Sequence, residues 1–296
     1  MLKPLLKRAA RRLIGPRTKP LRGAETIGTN WARHYFRQTE NYALEGFIYD
    51  TQRLVFTFEH AADHVRRDDV FRPGWGAHFF RARRVSHIAI KPKSMNWYRP
   101  DDLHALFRTM SESGFLDNFT RRVTYGSSMG GFAALIFADM LRAQTVVALN
   151  PQSTLDLARV PWEPRFTEAR AQDWTGAFSD AAGHYDTARA VYLVYDPFCA
   201  LDRHHADRIT GPNVRHLRAP GFGHGLGAYL HQAGALPMIV RDIIMADGMI
   251  DRAAFNALLR RRKGKKWYFS ELEKQPRVQQ STQFKEIIAR ARNSQG

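Results

Sequence analysis

The chain has 296 residues, 44% hydrophobic and 12% aromatic, enough for a sizeable buried core, yet no apolar run approaches the roughly 18 residues of a membrane-spanning helix. A single cysteine, Cys199, excludes an internal disulfide and any cysteine-based metal site, and reads as a small buried apolar residue. The formal charge of +17 belongs to the ends: residues 1–22 carry eight Lys/Arg and no acid, residues 252–296 carry twelve Lys/Arg and three Glu, and the stretch between balances 25 bases against 25 acids.

The first residues, MLKPLLKRAARRLIG, lack the continuous apolar stretch and cleavage site of a secretory signal. They suit a short basic amphipathic helix, with Leu2, Leu5, Leu6, Ala9 and Leu13 on one side and Lys7, Arg8, Arg11 and Arg12 beside them, or else a solvated tail. The expectation is a cytoplasmic protein, with residues 1–22 and 260–296 as candidates for peripheral contact with an anionic membrane or other polyanion. We therefore expect a basic N-terminal extension over 1–45, a central domain over 46–250 and a basic, loosely attached helical extension over 251–296.

Within the central domain, β-like apolar runs alternate with helical ones, which predicts an α/β fold with a mostly parallel central sheet and helices on both faces. Strands are expected at Leu54–Phe58, followed by the loop Glu59, His60, Ala61, and at Val85–Ile90, followed by a polar aromatic loop with Trp97 and Tyr98. Asp101 is placed to cap a helix through Leu103 and Leu106 to about Met110. A strand at Val123–Tyr125 leads through Gly126-Ser127-Ser128-Met129-Gly130-Gly131 into an Ala-rich helix ending near Leu141. Next come a buried strand at Thr145–Leu149 and an insertion over 152–189 that reads as a cap or lid. A strand at Ala190–Tyr195, a strand at Val214–Leu217 and helices over 228–245 and 251–262 complete the chain.

The chemistry concentrates at Ser128. A serine between a strand and a helix, bracketed two positions away by Gly126 and Gly130, fits a turn so tight that a Cβ at either glycine would clash. Serine needs a base to take its proton, and the base needs an acid to fix its tautomer. The base is His224, in the glycine-rich loop Gly221-Phe222-Gly223-His224-Gly225 that follows a strand. For the acid, Asp196, directly after the strand AVYLVY, is favoured over Asp202, six residues on; Asp207 reads as solvent-facing. One oxyanion-hole N–H comes from Met129, and the second is expected near His60. His204 and His205 read as surface residues, and Trp97, Tyr98, Trp162 and Trp174 are candidates for lining a pocket.

The elbow YGSSMGG, the strand ending at Asp196 and the GFGHG loop resemble the α/β-hydrolase superfamily over about residues 50–245. That resemblance implies ester, thioester or related acyl chemistry with Ser128, Asp196 and His224 as a triad. The sequence departs from the family in its oxyanion loop, where Phe58-Glu59-His60 replaces the usual His-Gly pair and introduces a negative charge. No metal or cofactor is called for. Hydrolysis of a carboxylic ester or thioester is the leading expectation. The alternatives are transfer of the acyl group to a sugar or lipid acceptor, and a non-catalytic scaffold that binds a polyanion through its basic ends.

Overall fold

The computed structural model describes residues 34–61 and 69–293. The basic segment over 1–22 lies outside the described residues. Eight strands form one sheet: β1 (His34–Gln38), β2 (Tyr42–Phe47), β3 (Arg53–Phe58), β4 (His87–Pro92), β5 (Arg121–Ser127), β6 (Thr145–Leu149), β7 (Ala190–Tyr195) and β8 (Val214–Arg218). Their spatial order is β1-β2-β4-β3-β5-β6-β7-β8, with β3 to β8 parallel and β2 antiparallel to both its neighbours, β1 and β4, near one edge.

Strands buried on both faces need apolar side chains at every position, which is why TVVAL and AVYLVY read as continuous runs. Their side chains alternate between two cores. Val146, Ala148, Val191, Leu193 and Tyr195 face one, with Leu103, Phe107 and Phe132; Val147, Leu149, Tyr192 and Val194 face the other, with Phe80, Leu226, Ile239 and Phe255. The first face carries α2 (Asp101–Glu112), α3 (Met129–Ile136) and α4 (Ala200–Asp207). The second carries α1 (Ala77–Ala82), α5 (Leu226–Ala233), α6 (Ala235–Ile239) and α7 (Arg252–Arg260).

Several expectations are corrected here. The domain boundary at residue 46 falls inside the sheet, because β1 and β2 extend its edge, pairing Tyr42 with Pro92 and Phe47 with His87. Helix α2 begins at Asp101 itself, with no side-chain cap; its neighbour Asp102 instead accepts from the backbone N–H of Asn41 at 2.8 Å and ties the helix to the β1–β2 turn. The helix after the elbow starts two residues earlier than expected and ends at Ile136. The helix expected over 228–245 is broken at Gly234, which takes a φ of 79°. Beyond it, α6 continues into a π-helical turn at Val240–Met245.

The C-terminal extension is packed rather than loosely attached. Helix α7 buries Phe255 and Leu259, and α8 (Lys266–Glu273) buries Phe269. The Trp267 ring stacks on Tyr229 with centroids 4.1 Å apart and lies 5.1 Å from Phe222. A one-turn helix, α9 (Pro276–Gln279), and a longer one, α10 (Thr282–Asn293), follow. Among the described residues, no helix is long and apolar enough to cross a membrane.

Candidate active site

Strand β5 and helix α3 meet at Ser128, whose backbone is held at φ 53° and ψ −119°. Such a conformation costs a non-glycine residue about 1–3 kcal/mol and persists only where its surroundings enforce it. They do: the Ser128 N–H donates to the Leu149 carbonyl at 2.9 Å, and the Ser128 carbonyl accepts from Phe132 N–H at 3.0 Å. A Cβ on Gly126 would strike the Gly130 carbonyl, and one on Gly130 would strike the Phe58 carbonyl. Both brackets must therefore be glycine.

The structure brings Ser128 and His224 together, with Oγ 3.0 Å from Nε2. The other ring nitrogen, Nδ1, lies 2.9 Å from both carboxylate oxygens of Asp202, so the proton on Nδ1 faces the acid and Nε2 is free to accept from serine. The side-chain amide of Asn150 fixes the loop by donating to the His224 carbonyl at 3.0 Å.

Asp196, the favoured acid, does not face the imidazole. Its carboxylate is fully buried beneath the loop, where it accepts from the backbone N–H groups of Phe198, Gly221 and Gly223 at 2.9, 3.0 and 2.7 Å. Burial pushes its carboxyl above the ordinary range, partly offset by those donors. Asp202 reaches His224 because the turn over 197–199 lifts the first turn of α4 above the strand end.

Asp202 is also buried and accepts from Arg165 Nη1 at 2.7 Å. Burial works to raise its carboxyl, but the contacts with His224 and Arg165 outweigh it and hold the group below its usual value. Arg165 in turn donates to Glu163 at 2.6 Å, and Glu163 accepts from His205 Nε2 at 3.0 Å. His205 is thus not a surface residue: it is fully buried, and its Nδ1 accepts from the Ser153 N–H at 3.1 Å. That acceptor leaves the proton on Nε2, so the ring is neutral, in line with a basicity lowered by burial. His204 stays exposed, as does Asp207.

Gln152 was not singled out by the sequence. Fully buried just past β6, it donates from Nε2 to Ser128 Oγ at 3.1 Å and accepts from Trp97 Nε1 at 3.2 Å. Only its position three residues past the strand end hinted at it. The Glu59 charge, which departs from the family pattern, is buried against Arg72, whose two terminal nitrogens each meet one carboxylate oxygen. Tyr98 is buried and donates from its hydroxyl to the Glu59 carbonyl at 3.0 Å, which fixes the start of the loop bearing His60. Met129 heads α3, and His60 lines the cleft with Ser128. Cys199 is half-buried, and burial pushes its thiol up to about 12, which keeps it protonated at neutral pH.

A cavity of about 600 Å³ opens at Ser128 and His224, lined also by Ala61, Trp75, Phe166 and Leu236. The expected tryptophans lie elsewhere. Trp97 is buried behind Gln152, Trp162 packs on His204 and His205, and Trp174 packs on Phe132. Among the described residues, no cluster of His, Cys, Asp and Glu is arranged to hold a metal ion.

The parallel sheet, the strand–elbow–helix at its centre and the chain order serine, acid, histidine make this an α/β-hydrolase fold. No family model and no curated protein matches the chain. Among solved structures it is similar to the capsule O-acetyltransferase of Neisseria meningitidis serogroup A, at 13% identity over 73% of this chain and 97% of that one, with a TM-score of 0.47. It is similar to a putative esterase from Staphylococcus aureus at 10% identity, 82% and 92% coverage and TM-score 0.46. Est1E from Butyrivibrio proteoclasticus gives 12% identity, 68% and 93% coverage and TM-score 0.42. The class rests on the strand order and the elbow, independently of these likenesses.

Proposed function

We propose that this protein is a serine hydrolase that cleaves a carboxylic ester or thioester through an acyl-enzyme on Ser128. The observation that supports it best is the unbroken chain of hydrogen bonds from Ser128 Oγ through His224 to Asp202. In this reading His224 Nε2 takes the serine proton as Oγ attacks the acyl carbon, and then returns it to the leaving group. Asp202 orients the ring and stabilises the imidazolium, and Arg165 keeps Asp202 ionised. Water, activated by the same histidine, releases the acid. The Met129 N–H at the head of α3 and an N–H of the loop at His60 receive the developing oxyanion; removing one such donor costs about 100- to 1000-fold in other hydrolases. Gln152 sets the serine rotamer: an oxygen that accepts from the amide has its own proton directed at His224.

Labelling with a fluorophosphonate probe tests this reading. Wild-type protein is expected to label, and Ser128→Ala and His224→Ala are not. Equal labelling of the Ser128→Ala protein overturns it.

A further inference from the structure

Behind the cleft at Ser128 lies a second cavity, of about 210 Å³, that shares Trp75, His231 and Leu236 with the first. We infer that this inner chamber is an acyl pocket, and that the site takes esters of uncharged, apolar acyl groups longer than acetyl. The inference rests on the reading of Ser128 as nucleophile and deepens it.

Three observations point there. The chamber starts in the right place: Ser127 and Tyr125 are two apart on β5, so their side chains share one face of the sheet, with Ser127 lining the outer cleft and Tyr125 the inner chamber. Two strand residues span about 6.6 Å. A two-carbon acetyl group is shorter than that span, whereas a longer chain can extend along the strand towards Tyr125. The lining is also of one kind. Beyond the shared residues, the chamber is walled by Gly76, Phe79, Phe80, Tyr125, Pro237 and Val240, and the described residues lining the two cavities include no Asp, Glu, Lys or Arg. An acyl group that carried a charge would lose hydration against these walls, where the described residues offer as a counter-charge only the exposed His231 at the rim. Finally, the walls are braced. The Trp75 ring leans on Tyr125 with centroids 4.3 Å apart, and Phe79 packs edge-on against Phe80 at 5.4 Å, so the chamber exists before a ligand arrives.

Each methylene moved from water into such a chamber should raise kcat/KM about three- to four-fold. The test is a series of p-nitrophenyl esters from acetate to octanoate, alongside fluorophosphonate labelling. Hexanoate is expected to exceed acetate in kcat/KM by at least tenfold, and Leu236→Trp, which fills the junction, should pull that ratio towards one. A ratio cancels differences in the fraction of folded protein. A wild-type ratio at or below one overturns the proposal. Calorimetry on Ser128→Ala protein separates the two readings, because it needs no catalysis: the uncharged ester methyl octanoate should bind and methyl acetate should not, and equal binding of the two, or of neither, overturns the acyl pocket. If methyl octanoate binds while the wild type resists the fluorophosphonate, the chamber stands and the nucleophile reading falls.

Discussion

The two halves of the site are held by different physics. The backbone of Ser128 is fixed by neighbouring backbone: a turn between adjacent elements, one hydrogen bond to β6, and two glycines pressed against neighbouring carbonyls, with Gln152 alone among distant side chains donating to its hydroxyl besides the histidine contact. His224 rides on a loop whose conformation depends on side chains sent from afar. Asp196 binds it from below, Asp202 and Asn150 meet it within the cleft, and Glu271 of α8 closes on it from outside, so near Gly223 that a Cβ there would strike the Glu271 carboxylate. A local device is robust and readable, whereas a distributed one can be loosened from many positions.

Substitutions in the two halves should therefore differ in kind. The largest effect is expected at the elbow: Ser128→Ala should lower kcat about a millionfold while the melting temperature moves by no more than a few degrees. In the distributed half, Asp202→Asn should cost about 10⁴-fold in kcat by favouring the wrong tautomer. Asp196→Asn, by turning an amide towards backbone donors, should instead destabilise the fold by about 1–3 kcal/mol. Urea titration beside steady-state kinetics checks the contrast. If Asp196→Asn costs more in kcat than Asp202→Asn, the assignment of the acid is reversed. Gln152→Leu should lie lower, at about 10- to 100-fold in kcat, on the scale of losing one hydrogen bond at a reacting atom.

The smallest effect is one of stability and depends on pH. Burial favours the neutral form of Glu163, but its contacts with Arg165 and His205 prevail and lower its carboxyl from 4.5 to about 2. The unfolded chain thus takes up this proton at a higher pH than the native one, so the carboxylate stabilises the fold fully above about pH 4.5, and that contribution is lost as the pH falls towards 2. Glu163→Gln should accordingly be less stable than wild type at pH 7, by about 3 kcal/mol. The gap should close between pH 4.5 and 2, as read by urea unfolding across that range. A gap that does not change with pH removes the ionic account of how Glu163 and Arg165 hold Asp202.

Legibility in the sequence followed the same division. The elbow and the strands β6 and β7 are local patterns, an apolar run or a glycine spacing, and each appears where the pattern placed it. The hairpin of β1 and β2 did not stand out, because the edge strand β1 keeps polar side chains such as Arg37 and Gln38 exposed, and Glu45 and Gly46 interrupt the apolar run of β2. Asp196 outranked Asp202 because only distance along the chain from the strand could be read, whereas the deciding quantity was which carboxylate the loop donors had already occupied. His205 looked like surface because the partner that makes its burial tolerable, Glu163, stands 42 residues away.

Helix α8 braces the His224 loop, and it is translated after every strand of the sheet and after the loop itself. The sheet and elbow can assemble as soon as their own strands emerge, since domains form from the N-terminal side during synthesis. The histidine loop is already made by then, but its outer support from Glu271 and Trp267 has yet to be translated. The loop that carries His224 is therefore braced after the sheet that carries Ser128, and a nascent chain can hold the serine in place before the histidine.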